Sequence, residues 1–310
     1  IPHVRPKLTS RPYQHILDEV SRLTQAGHRE VVLTGIHLGH YGVDWNRNKP
    51  KEDWVRLAHL LRDLCELPGN FRIRLSSIEA TEVTRELISV MRDHADRIVP
   101  HLHLCLQSGS DSVLRRMRRR WGTRMFLDRC HLLKESLDKP AITTDVIAGF
   151  PGETEEEFEQ TLTTCQKAGF SKIHAFPFSP RRGTPAAEMP DQIAKHVRSE
   201  RVKRLTMLET ELRTEYYQQL VGSKLELLVE SSRDLVELDT TTMRVNEPST
   251  NMAGAATDRL LRGTTCRYAP GELMLPTATD AGTDSPNVGD LLPVRITNAT
   301  HDKLTLSLLT

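Results

Sequence analysis

Apolar residues recur at helical spacing at Ile16, Leu17, Val20 and Leu23, between Pro12, which suits a first helical turn, and Gly27, which ends one. The same spacing returns at Trp54, Leu57, Leu60, Leu61 and Leu64, stopped before Pro68-Gly69. It returns again at Val83, Leu87, Ile88 and Met91, then over residues 125–137, 154–168 and 191–219. Between these helices stand short β-rich runs at residues 30–35, 71–75, 98–106, 142–148 and 171–176. Ile142, Val146 and Ile147 lack strict alternation, which suits a strand covered on both faces. Strand-helix alternation at this pitch predicts an α/β fold: a parallel sheet with right-handed crossovers.

From about Val221 the period falls to two. Leu225, Leu227 and Val229 recur at every second position, as do Leu292, Val294 and Ile296, then Leu304, Leu306 and Leu308. This pattern predicts a small antiparallel β-barrel. The chain therefore divides into residues 1–219 and 220–310. Segments 239–258 and 277–287, rich in Thr, Ala, Asn, Ser and Gly, read as flexible insertions in the second part.

The stretch Asp145-Val-Ile-Ala-Gly-Phe-Pro-Gly-Glu-Thr concentrates the turn signals. Gly149, Pro151 and Gly152 break the strand, and Thr154 with Glu157 three residues on forms a capping-box pattern. A turn at the carboxyl end of a parallel strand is where α/β folds bind ligands; an ordinary βα loop is the alternative. Charge adds a limit: 42 Lys and Arg against 41 Asp and Glu leave a net +1, so any nucleic-acid site is a local patch. The five cysteines, at 65, 105, 130, 165 and 266, form no short-spaced pair, which excludes a disulfide framework or a zinc signature. They fit reduced thiols in a cytoplasmic protein; Cys105 and Cys130 read as small core residues. No apolar run spans a bilayer and no signal peptide is visible, so no membrane partner is expected.

Five segments in order carry a resemblance: "EVVLTGIHLGHYG", "FRIRLSSIEATEVT", "HLHLCLQSGSDSVLRRMRRR", "TTDVIAGFPGETEEEFEQTL" and "KIHAFPFSPRRGTPAAEM". Together they resemble the radical S-adenosylmethionine (SAM) methylthiotransferases, and "VVLTGIHLGHYG" with "RIRLSSIEA" most resembles the branch modifying N6-threonylcarbamoyladenosine beside the tRNA anticodon. The branch acting on isopentenyladenosine is the nearest rival, and the ribosomal-protein aspartate branch is further off. A non-catalytic RNA-binding remnant is a rival of another class.

The resemblance implies a partial (β/α) radical SAM barrel for 1–219, lacking its first strand, and an RNA-binding TRAM-like barrel for 220–310. It implies SAM and [4Fe-4S] clusters as cofactors and tRNA as partner, with sulfur and electron donors unassigned. In the family a CxxxCxxC loop holds the cluster just before a segment like "IPHVR", so the chain reads as starting after that loop. None of the cysteines has that spacing, so the chain as given is expected not to assemble the cluster, and no catalytic or metal-binding residue is assigned.

SAM contacts are expected at the strand ends. Thr34 and Gly35 would present backbone to the SAM amino group, or form only a tight turn. Ser77 and Glu79 would face the methionyl carboxylate, with a helix-start charge as the alternative for Glu79. Gln107 and Ser108 would bond the ribose. Asp145, Gly149, Phe176 and Phe178 would flank the adenine, the aromatics otherwise being core.

For RNA, the run Arg115, Arg116, Arg118, Arg119, Arg120 and Arg124, with Trp121 interleaved, suits phosphate contact and stacking, or a solvated face. Arg181 and Arg182 at the barrel rim, and Arg267 with Tyr268 in the second part, are candidates of the same kind. His3, His37, His40, His101, His103 and His174 read as satisfied side chains; only His101 and His103 share a strand face.

Overall fold

The computed structural model describes residues 7–235, 258–276 and 286–309. It forms two compact units, Ile1–Gln219 and Leu220–Thr310.

In the first unit the expected alternation is present. Its elements are α1 (Tyr13–Gln25), β1 (Glu30–Leu33), α2 (Leu57–Cys65), β2 (Arg72–Leu75), β3 (Ser77–Ile78) and α3 (Arg85–Asp93). They continue as β4 (His101–Leu104), α4 (Asp111–Arg116), α5 (Thr123–Ser136), β5 (Ala141–Ala148), α6 (Glu155–Ala168), β6 (Lys172–Pro177), α7 (Pro185–Glu188) and α8 (Lys195–Leu220). All strand pairings here are parallel: β1 with β2, and β3-β4-β5-β6 in order. A bridge between Ile73 and Ile98 links the two sheets. β2 fills the strand expected at 71–75, and β3 continues it beyond a break at Ser76, whose N–H bonds the Leu33 carbonyl. Among the described residues β1 pairs only with β2, so it is an edge, and Val32 on it is half exposed.

Period-two geometry divides each strand between two faces. The outward set, including Ile73, Leu75, Leu102, Leu104, Val146 and Ile173, packs under the helices with Leu61, Leu64, Leu87, Phe126 and Phe158. Each fully buried Leu or Phe here contributes about 1.5–3 kcal/mol through removal from water. The opposite set is polar: Glu30, Arg72 and Arg74, then His101, His103 and Cys105, then Thr143 and Asp145, then His174. A sheet with helices on one face and a polar concave face is the wall of an open barrel.

The second unit contains β7 (Lys224–Leu235), β8 (Asp258–Thr265), β9 (Pro270–Leu275), β10 (Leu291–Ala299) and β11 (Leu304–Leu308). They close into a barrel in the order β10-β11-β9-β8-β7. Leu225, Leu227, Val229, Leu261, Leu273, Val294, Ile296, Leu304 and Leu306 fill it. The expectation of a wholly antiparallel barrel is corrected at one seam, because β9 and β11 run parallel. Closing five strands requires that seam, since β11 returns beside β9 after the β10 hairpin. Bulges at Val229/Ser231 and Ile296/Asn298 bend the long strands. Of the segments read as insertions, 239–257 and 277–285 lie outside the described residues; Asp258 opens β8.

Candidate functional site

The carboxyl ends of the five parallel strands converge on one rim. β5 controls it. After Ala148 the chain turns through Gly149, at φ 76°, and Gly152, at φ 71°. The Gly149 N–H donates to Glu153 Oε2 at 2.6 Å. Glu153 is buried and receives Arg201 Nη1 at 2.8 Å from α8. A methyl group on Gly149 would sit 2.3 Å from Arg198 Cγ, and the Arg198 guanidinium donates to the Phe178 carbonyl. The turn is thus clamped by two arginines of α8.

The capping box is formed as the sequence suggests: Thr154 Oγ1 accepts from Glu157 N at 3.2 Å, and Glu157 Oε2 accepts from Thr154 N at 3.0 Å. Glu157 also accepts from Ser112 at 2.6 Å and from Arg116. The Arg116 hydrogen bond, outweighing partial burial, helps hold the Glu157 carboxyl down at about 2.

On the concave face below the rim, Thr143 Oγ1 lies 3.1 Å from His101 Nε2 and 3.0 Å from His103 Nδ1. His103 Nε2 lies 3.5 Å from Asp145, the register partner of His174 on β6. Burial drives the His101 pKa well below the usual histidine value, with Arg74 and His103 adding to it. Burial opposes protonation of His103 as well, but hydrogen bonds to Asp145 and Cys105 prevail and raise it to about 9. The same bond to His103 lowers the Asp145 pKa against burial. Thr143 then has a consistent proton assignment: His103 donates to it and its hydroxyl donates to neutral His101. Deeper in the wall, burial of Glu30 is outweighed by Arg74 and Arg72, which keep it ionised.

The expected cofactor residues fall into three groups. Thr34 and Gly35 stand exposed at the end of β1, and Ser77 is exposed on β3 opposite His103. Ile147 on β5 and Phe176 on β6 are register partners, and Phe176 is 49% exposed at the rim with Asp145 one strand step below. Gln107, at φ 67°, uses its backbone to extend β4 onto β5, bonding Asp145 O and Ile147 N. Glu79 caps the turn Ala80–Glu82 and pairs with Arg119 at 3.7 Å. Phe178 packs edge-on against Phe150.

Ser108 is a correction. It is fully buried, with its hydroxyl 3.3 Å from Thr161 and accepting from Ser110 N, so it fastens the β4 turn to α6 and does not face the rim. The turn is drawn in because Gly109 lies against Thr161, where a Cβ would come within 2.6 Å.

The arginine run also divides. Arg115, Arg118, Arg120 and Arg124 are exposed, Arg118 in a left-handed turn at φ 58°. Arg116 is committed to Glu157 and the Gly152 carbonyl, and Arg119 to Glu79 and the Trp121 ring. Trp121 is buried and cannot stack on a base. Arg181 and Arg182 are exposed beyond β6. Arg267 is buried beside Cys266 in the turn after β8, while Tyr268 is 45% exposed.

Sequence reasoning passed over the His103–Asp145–His174 group and the Arg198 and Arg201 clamps. The i, i+2 pair His101 and His103 was a visible signal, but its partners lie about 40 residues away in the chain.

Ile147 and the half-exposed Phe176 stand side by side on the concave face with Asp145 one strand step below, an apolar platform beside a carboxylate whose chemistry suits an adenosyl group. The cysteines do not suit a [4Fe-4S] cluster, which requires several convergent thiolates. Burial pushes the Cys65, Cys130 and Cys165 thiols up to about 12, Cys266 is buried in the second unit, and Cys105 stands alone on the concave face.

Comparison with known proteins adds an independent line. Residues 1–165 match the model of the Radical SAM superfamily. The chain is 46% identical to threonylcarbamoyladenosine tRNA methylthiotransferase MtaB of Bacillus subtilis, over 75% of this chain and 50% of that protein. It is 40% identical to the tRNA-2-methylthio-N(6)-dimethylallyladenosine synthase of Corynebacterium urealyticum, over 91% of this chain and 51% of that protein. The chain therefore spans about half the length of the curated relatives it matches. Among solved structures, coproporphyrinogen III oxidase of Escherichia coli, described as a radical SAM enzyme, aligns at 15% identity and a TM-score of 0.46. That alignment covers 66% of this chain and 48% of that one.

Proposed function

The chain belongs to the radical SAM superfamily, and from that premise we propose that it is part of a tRNA methylthiotransferase acting on C2 of N6-threonylcarbamoyladenosine next to the anticodon. The observation that carries the substrate is the 46% identity to the Bacillus subtilis relative, above the 40% to the dimethylallyladenosine enzyme. When bound, SAM supplies the methyl group and the species that activates the substrate carbon; the sulfur comes from another donor.

This chain's residues position and shield. Ile147 and Phe176, side by side on one sheet face, offer an apolar platform for the adenine, and the clamped Gly149 turn lets backbone approach it. Thr34 and Gly35 face the amino acid end of SAM. Gln107, fixed by β5 on both sides, reaches the ribose. Asp145 and protonated His103 form a fixed dipole beneath the cofactor, which orients polar groups without reorganisation. Arg118, Arg120, Arg181 and Arg182 meet tRNA phosphates. The cysteines of this stretch do not converge as cluster ligands, and a tRNA substrate implies a cytoplasmic place. The five-stranded second unit supports an additional RNA contact.

The test is nucleoside mass spectrometry of tRNA from a strain lacking the gene. Loss of the methylthio mark on threonylcarbamoyladenosine, with the mark on isopentenyladenosine intact, is expected. The opposite loss assigns the dimethylallyl branch. Two intact marks overturn the proposal and favour a non-catalytic RNA-binding remnant.

A further inference from the structure

Beyond β1 the chain makes a 3-10 turn at Leu38–His40, with Leu38 buried between two histidines. Across from it stands Glu82, in the turn that follows β3. The Glu82 side chain is only 2% exposed. Its Oε2 accepts from the Glu79 N–H at 3.0 Å, but its Oε1 has no hydrogen-bond partner among the described residues. That oxygen is 3.9 Å from His37 Nδ1 and 3.7 Å from His40 Nε2. The three ligand atoms lie within 4.8 Å of one another.

These distances are too long for hydrogen bonds. The two carboxylate–imidazole distances are roughly half an ångström wider than the ~3.3 Å separating two ligands of a tetrahedral zinc at bond lengths of about 2.0–2.1 Å, so a small inward turn of the two exposed imidazoles brings the three atoms to bonding geometry. A buried carboxylate oxygen without a hydrogen bond is destabilising, and a cation between it and the imidazoles satisfies it. The backbone also favours the approach: a Cβ on Gly39 would lie 2.3 Å from Glu82 Cβ, so only glycine lets the turn close over the carboxylate. Both histidines are about two-fifths exposed, which leaves a fourth position open to water. The other cluster of ligand type, His103, Cys105 and Asp145, differs because its ring nitrogens already meet Thr143 and Asp145.

We infer that His37, His40 and Glu82 form a binding site for a divalent transition-metal ion, zinc being the best fit to two imidazoles and one carboxylate. The site lies in the turns that follow β1 and β3, beside Thr34 and Gly35, but uses none of the residues assigned to the adenosyl group, and it does not depend on the proposed reaction. It ties the β1 turn to the β3 turn, two segments that share no strand pairing beyond the end of β1.

The test uses the 310-residue chain and cobalt(II) as the probe. One equivalent should give the visible absorption of a four- or five-coordinate ion, and one equivalent of zinc should bleach it. His37→Asn and His40→Asn, both on the exposed side, should weaken binding at least about 100-fold, beyond the 10–100-fold that loss of an outer-shell partner costs. Their melting temperatures without metal should match that of the parent chain. Glu82→Gln should also lose the band, and Cys105→Ser should keep it. No absorption in the parent chain, an undiminished band in both histidine variants, or a sulfur-to-cobalt charge-transfer band lost in Cys105→Ser would each overturn the assignment.

Discussion

Replacing Gly149 by alanine would put a methyl group where the stem of Arg198 now lies, 2.3 Å from its Cγ. Two costs follow. The residue sits at φ 76°, where an L side chain costs about 1–2 kcal/mol. Arg198 must also swing away and give up its bond to the Phe178 carbonyl. A hydrogen bond from a charged donor is worth about 1.5–3 kcal/mol, and Arg198 is only partly buried, so the lower end, about 1.5 kcal/mol, applies. Gly149→Ala should therefore destabilise the first unit by about 3 kcal/mol, and Arg198→Ala by about 1.5 kcal/mol. If the effects were independent, the double variant would lose about 4.5 kcal/mol. With the arginine stem gone beyond Cβ, however, the added methyl meets only that Cβ, 3.3 Å away, and the double variant should lose only about 3 kcal/mol. The coupling of about −1.5 kcal/mol is well beyond the 0.3–0.5 kcal/mol scatter of additive pairs. Urea unfolding followed by tryptophan fluorescence is the assay. All three tryptophans, Trp45, Trp54 and Trp121, lie in the first unit, so the signal reports that unit. Additivity within about 0.5 kcal/mol would refute the claim that the glycine exists to seat Arg198.

Two further outcomes follow from the concave face and the rim. His103 carries a folded pKa of about 9 against an ordinary value near 6.5, so its contribution is fully present below about pH 6.5 and is lost as pH rises towards 9. Asp145→Asn should flatten the stability profile in that window and return the His103 ring resonance in NMR to titration at lower pH; an unchanged midpoint would remove the Asp145 pairing as its cause. Arg118→Ala with Arg120→Ala should lower the slope of log affinity for tRNA against log salt by about 2 and leave the melting temperature unchanged. Arg116→Ala, which breaks the Glu157 contact, should instead lower the melting temperature. A slope unmoved by the double change would take these two arginines out of the RNA contact.

The strands and helices of the first unit were legible because each carries its own period and its own punctuation. Thr154 and Glu157 form their capping box from four consecutive residues, and Gly149 breaks β5 for reasons local to its backbone. Ser108 and Arg267 were misplaced because burial depends on what packs around a side chain: Ser108 is held against Thr161 of α6, and Arg267 is enclosed in the turn beyond β8. The arginine run read as one patch, yet the fold divides it, with Arg116 and Arg119 spent on carboxylates and Arg118 and Arg120 left in solvent.

By itself the sequence determined the order of elements, the change from helical to strand period near Val221, and the turn chemistry at the strand ends. These are local properties, set by backbone sterics and by the alternation of apolar side chains along a few residues. Tertiary structure alone decided which charges meet. Parallel crossovers bring Asp145 beside His103 across a gap of 42 residues, and set Glu82 opposite His37 and His40 across more than 40. Sequence spacing holds no record of such distances, because electrostatic and ligand geometry act through space and the strand order is fixed by packing of the whole sheet.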